Sequence, residues 1–237
     1  MKGFTIKSVA GAALVLASVA SAEDLTIVSR VDMGGGKTGT STQYLAKDKI
    51  RTSDGESGTI FELASGRMVI INDKKKEYYE TSVQDLAAAM QKLQQQMGEG
   101  PMAAMFGKVG EVKVTKGTEP KKVAGYDTEH WVLDMGDALR FDVWAAPALE
   151  VPTQYYEARK SMYAAMGPMG PRFQKMVEEM RKVKGFPLAT RVSAKMAMVK
   201  INTLTEATEV KKGPIPASAF EVPAGYTKKE PPFKKAA

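Results

Sequence analysis

Residues 125–147 read GYDTEHWVLDMGDALRFDVWAAP, and the pairing of this stretch decides the fold. Two runs rich in β-branched and aromatic residues flank Gly136-Asp137, a glycine-containing dipeptide of the kind tight hairpins use. A two-residue turn there sets Trp131 opposite Asp142 and Glu129 opposite Trp144, so that both indoles share one face. The other face then carries His130, Val132, Leu139, Phe141, Val143 and Ala145. Because one face is nearly all apolar, the hairpin is expected to be central, with something packed on at least one side.

Working outward toward the N-terminus, Leu25, Ile27, Val31 and Met33 share one parity, as a half-buried strand requires. Turn signals at Gly34-Gly35-Gly36-Lys37, Asp54-Gly55, Ser65-Gly66 and Asn72-Asp73-Lys74 divide the chain up to Thr81 into a meander of short antiparallel strands. Ser82, with Asp85 three residues on, caps a helix whose Val83, Leu86, Ala87, Met90, Leu93 and Met97 form an apolar stripe. Gly98-Glu99-Gly100-Pro101 stops it, and Val109 to Val114 reads as a strand. Beyond Pro147, Thr153 opens a helix striped by Tyr155, Ala158, Met162 and Met166, which Gly167-Pro168 breaks. A third helix starts at Pro171, carries Phe173, Met176, Val177, Met180 and Val183 on one stripe, and ends at Gly185.

Leu188 to Met196 alternates as a strand, with Val199 to Val210 as its partner. Strands in consecutive blocks with helices inserted between them predict an α+β fold. The expected form is a curved antiparallel sheet, a half-barrel, with helices packed on its concave face. One domain is expected over 23–227, followed by a disordered basic tail at 228–237.

The first 22 residues are set apart. Lys2 and Lys7 precede the apolar run Ser8 to Ala17, which is too short to span a bilayer, and Ala20-Ser21-Ala22 is a small-x-small cleavage site. Export with cleavage before Glu23 is expected, to the periplasm or beyond. The chain has no cysteine, so neither disulfides nor a lipid anchor on a cysteine after the cut is expected. Its formal charge of +7 falls to about +5 once Lys2 and Lys7 are subtracted. Much of that charge sits in turn-like runs such as Lys74-Lys75-Lys76 and Lys211-Lys212. This allows weak contact with an anionic membrane surface, but basic turns without interleaved aromatic motifs in an exported chain exclude nucleic acid.

Few constellations carry chemistry. Gly34-Gly35-Gly36-Lys37-Thr38 imitates a phosphate loop, yet that motif needs glycine where Val31 stands and a helix where Ser41-Thr42-Gln43-Tyr44 reads as extended. His130 is the only histidine, which leaves zinc chemistry short of ligands and a serine triad without a nucleophile elbow. The acid pairs Glu178-Glu179 and Asp134 with Asp137 have ordinary helix-surface and turn explanations.

The 15 methionines concentrate on the helical segments. They admit three readings: a soft Cu(I) site, plain core, or a pliable lining for an apolar ligand. No metal and no cofactor is expected.

Several motifs taken together resemble a known family. They are Lys49-Ile50-Arg51, Asp142-Val143-Trp144-Ala145-Ala146-Pro147, Gly185-Phe186-Pro187-Leu188, and Phe220-Glu221-Val222-Pro223-Ala224-Gly225-Tyr226. The set resembles the bacterial exported family called domain of unknown function 4412, which is itself similar to the LolA/LolB-like periplasmic lipoprotein carriers. The resemblance implies a half-barrel sheet with helices plugging its concave face, and in the carriers that space holds acyl chains. It brings no catalytic residues.

The function expected is therefore a non-catalytic periplasmic binding protein for an apolar or lipid-like ligand, a carrier or sensor. The alternative is an envelope structural or interaction protein with a filled core. The candidate ligand-binding residues are Phe141, Val143, Phe173, Met176, Met180, Trp131 and Trp144. Candidate partners are a lipid or acyl ligand and an envelope protein, and Gly167-Pro168 is the candidate hinge of a helical cover.

Overall fold

The computed structural model describes residues 23–97, 112–136, 139–151, 153–164, 170–196 and 199–234. The expected leader at 1–22 and the expected hinge at Gly167-Pro168 lie outside the described residues. The chain opens with β1 (Leu25–Asp32), β2 (Thr38–Leu45), β3 (Lys49–Ser53), β4 (Ser57–Glu62), β5 (Arg67–Asn72) and β6 (Glu77–Ser82). Each strand pairs antiparallel with the next, as the spacing of turn residues predicts. The glycine run at 34–36 lies in the β1–β2 turn, where the Lys37 N–H donates to the Gly34 carbonyl. A strand on each side of the run disposes of the phosphate loop.

Helix α1 (Val83–Met97) follows β6 directly, and Ser82 Oγ caps it by accepting the Asp85 N–H at 3.0 Å. Next come β7 (Lys113–Lys116), β8 (Lys121–Val123), β9 (Tyr126–Asp134) and β10 (Leu139–Ala146), then α2 (Thr153–Ala164) and α3 (Gly170–Met180). The long pair β11 (Phe186–Met196) and β12 (Val199–Lys212) completes the second meander. Strand β12 then pairs with β1, which joins the two meanders into one sheet. The short β13 (Thr227–Lys228) pairs parallel to β6. The strand order is β13-β6-β5-β4-β3-β2-β1-β12-β11-β10-β9-β7, with β8 on β9, so the sheet is open, not closed into a barrel. This open, mostly antiparallel sheet with a few helices is the α+β layout the sequence predicts.

Two expectations need correction. Lys228 and Lys229, placed by the sequence in a disordered tail, continue along the β6 edge. The Lys229 N–H reaches the Tyr78 carbonyl at 2.7 Å, and Pro231 is buried before a last 3-10 turn at Pro232–Lys234. An open edge supplies backbone partners that the composition of the tail does not reveal.

The central hairpin is displaced by one residue. Trp131 lies across from Val143 and Trp144 across from His130. The closing bond runs from the Met135 N–H to the Leu139 carbonyl at 2.9 Å, so the loop contains three residues, not two. A one-residue change of register re-sorts the faces. Trp131 now shares a face with Leu133, Phe141 and Val143, while Trp144 shares the other with His130 and Asp142.

All three helices cover the same face. On α1, Val83 packs with Phe61 and Met68, and beyond α3 Val183 joins Met176 against Leu133 and Val143. Tyr155 of α2 meets Phe186 with ring centroids 5.9 Å apart. The opposite face is covered near β3–β6 by the C-terminal segment, whose Phe220, Val222 and Tyr226 pack over Ile60, Val69 and Ile71. Arg51 fixes that segment through its guanidinium, which donates to the Ala219 carbonyl at 2.9 Å.

Candidate functional site

Between α2, α3 and the sheet lies a cavity of about 320 Å³. Its sheet side is made by residues of one parity on neighbouring strands. Leu133 pairs with Phe141, Val143 with Thr190, and Thr190 with Thr205, so these side chains stand on one face. Met176 and Met180 of α3 close it from above, one helical turn apart on the same stripe. Phe186 and Leu188 complete the apolar wall.

A second cavity of about 170 Å³ lies over β2–β5, lined by Ile50, Phe61, Met68 and Met162. The two cavities share Gln43, Tyr155 and Arg159. Tyr155, Arg159 and Tyr163 recur every fourth residue on α2, which sets them on one helix face, and all three line the larger cavity. The Arg159 guanidinium lies over the Tyr155 ring, 5.1 Å from its centroid. Arg159 is the one charged residue among the described lining of either cavity. No ion pair joins it to a carboxylate among the described residues.

Of the seven residues expected to bind ligand, Phe141, Val143, Met176 and Met180 line the larger cavity. Trp131 packs in the same apolar cluster, with its indole N–H buried and without a hydrogen-bond partner. Phe173 belongs to α3, with its side chain outside the described residues. Trp144 does not line the cavity, because it alternates with Val143 along β10 and so stands on the other face, where it is buried; the change of register brings only Trp131 to the Val143 face. Sequence reasoning missed Arg159, Tyr155, Tyr163 and Gln43. The signal was present in the Tyr-Arg-Tyr spacing of α2, a polar line beside the Met stripe.

On the opposite face, His130 and Asp142 form a buried polar cluster. The Glu119 N–H donates to His130 Nδ1 at 3.3 Å, so the ring proton sits on Nε2, which faces Asp142 Oδ1 at 3.1 Å. Arg140 grips the same carboxylate with Nη2 at 2.9 Å and Nε at 3.2 Å. Burial opposes ionisation of Asp142, but the hydrogen bonds from Arg140 and His130 outweigh it and hold the carboxyl below its ordinary range.

The imidazole stacks on Trp144 at 4.8 Å, and the Trp144 indole donates to the Glu119 carbonyl at 2.7 Å. Lys121 lies over that indole, 4.3 Å from its ring centroid, and pairs with Glu206. Gly117 passes so close that a Cβ there would fall 2.1 Å from His130 Nδ1. Every polar atom of the imidazole is occupied and the ring is closed off from solvent, an arrangement that locks β9, β10 and the 117–119 loop together. Neither a histidine nor a carboxylate is found among the described residues lining the cavities. Also among the described residues, no group of three or more His, Asp or Glu could hold a metal, and no helix is long and apolar enough to cross a membrane.

The motifs that carried the family resemblance meet in pairs. Ala145 and Ala146 of the DVWAAP run pair with Pro187 and Phe186 of GFPL. Arg51 of KIR holds Ala219 and Glu221 around the FEVPAGY run. They act as locks in the scaffold, and Val143, Phe186, Pro187 and Leu188 of these motifs also line the larger cavity.

No curated protein matches the chain. Among solved structures, it is similar at 12% identity to PNGF-II (TM-score 0.42), covering 90% of this chain and 32% of that one, so it spans about a third of that protein's length. It is similar at 6% identity to an uncharacterized conserved protein from Thermus thermophilus (TM-score 0.48), covering 89% and 91% of the two chains. It is also similar at 9% identity to the LolA superfamily protein NE2245 from Nitrosomonas europaea (TM-score 0.28), covering 84% and 90%. These are likenesses of layout, and nothing functional follows from them. Residues 36–226 match the family described as "Domain of unknown function (DUF4412)", and the chain belongs to that family.

Proposed function

We propose that this chain is a non-catalytic binding protein for an apolar, lipid-like ligand, working in the periplasm after removal of residues 1–22. The observation that carries the reading is the cavity between helices and sheet, whose wall of Leu133, Phe141, Val143, Met176, Met180 and Phe186 is apolar. A concave apolar space with a few polar groups at one place is the usual form of a small-molecule site. The methionines suit a ligand that varies in shape, because an unbranched thioether chain repacks at low cost. Phe173 and Trp131 belong to the proposed contact set by their positions on α3 and β9.

Native mass spectrometry of protein purified from its own cell envelope tests the reading. We expect a species heavier than the mature chain by the mass of one lipid, lost on activation. A bare chain that also takes up no dodecanol or dodecanoate when offered them would favour a filled-core interaction protein instead.

A further inference from the structure

We infer that the ligand is a single-chain anionic amphiphile whose carboxylate or phosphate head group is held by Arg159, an inference that rests on the cavity being a binding site. Arg159 brings a positive charge into a space whose described lining is otherwise uncharged. A half-buried cation with no carboxylate paired to it suits a group that arrives with a negative charge. The guanidinium also presents a planar fork matched to the two oxygens of a carboxylate or phosphate, and the Tyr155 ring beneath holds that plane in place.

The floor of the cavities is graded to match. Gln43 pairs with Thr52, and Thr52 with Thr59, so three polar side chains run as a belt across β2, β3 and β4 on the face that carries the cavities. Gln43, at one end of this belt, lines both cavities, while Thr52 and Thr59 line only the smaller one beside Phe61 and Met68; the larger one lies under Met176. A head group at the junction and one chain running under α3 fits that arrangement, whereas a neutral oil would bring no negative charge to the arginine.

The test is a head-group scan by calorimetry at about pH 7.5, below micelle-forming concentrations, with dodecanoate, dodecyl phosphate and dodecanol as probes. Either anion should bind the native protein at least about tenfold more tightly than dodecanol, and the better of the two identifies the head group as carboxylate or phosphate. In Arg159→Met the anions should fall to the level of dodecanol, while dodecanol itself changes less than about threefold. Arg159→Lys, which keeps the charge but not the fork, should lie between them and covers the case in which Arg159→Met fails to fold. Dodecanol binding native protein as tightly as the anions, or an anion preference that survives in Arg159→Met, would overturn the inference and leave the apolar-ligand reading intact. No uptake of any probe would bring down that reading and the inference together.

Discussion

Trp131 and Trp144 stand on opposite faces of one sheet, the first across from Val143 on the helix side and the second stacked on His130 on the other. Only Trp131 belongs to the apolar cluster that borders the larger cavity. The two fluorophores therefore report on different parts of the molecule.

Binding in the cavity should change the emission of Trp131 alone. In Trp144→Phe, titration with dodecanoate should give a saturable change in intensity or wavelength, and in Trp131→Phe the change should nearly vanish. Trp131→Phe should also cost less than about 1 kcal/mol in urea unfolding, because the lost ring area is offset by removal of a buried N–H that has no partner. A response carried by Trp144 would contradict the assignment of faces.

How far the sequence discloses this arrangement differs from feature to feature. The meander, the capped helix after Ser82, and the β11–β12 pair follow from period-two and period-3.6 patterns, and these are strong where one face is buried. The hairpin register is not disclosed, because Gly136 suits a two-residue or a three-residue loop and the residues between Asp134 and Leu139 favour neither. Four cavity residues are legible since they are the apolar stripes of β10 and α3. Arg159 is not, because an arginine beside Lys160 on a helix reads as a solvated face until the fold sets that face against the sheet.

The Asp142 carboxylate is a structural lock. Asp142→Asn should destabilise the fold by about 2 kcal/mol at pH 7, since it weakens charge-assisted bonds from His130 and Arg140 at a buried site. Its folded-state pKa is depressed below 3.8. Its stabilisation is therefore fully present above the unfolded value and is lost as pH falls through the lower folded value. Urea midpoints of wild type and Asp142→Asn should thus differ at pH 7, and the gap should narrow as pH falls below the ordinary carboxylate range. A gap of constant size on acidification would contradict this.

Gly185 ends the turn after α3 and sets the entry to β11. Its φ is 88°, and a Cβ there would fall 2.0 Å from the Ala146 carbonyl oxygen. Gly185→Ala should therefore cost about 3 kcal/mol, from left-handed strain together with a backbone clash that no side-chain rotation relieves. The melting temperature measures it, and a loss of under about 1 kcal/mol would mean that Phe186 and Ala146 are not paired as described.

Filling the cavity tests the central claim most directly. Thr190 faces the larger cavity from β11 in the middle of the sheet, and Phe is well tolerated in strands. Thr190→Phe should therefore occupy the ligand's space without breaking the core. By calorimetry, dodecanoate should bind the native protein one-to-one and bind Thr190→Phe at least about tenfold more weakly, with the melting temperature of the variant unchanged or higher. Equal affinity in native protein and a folded Thr190→Phe would mean that the space between α3 and the sheet is not where the ligand goes.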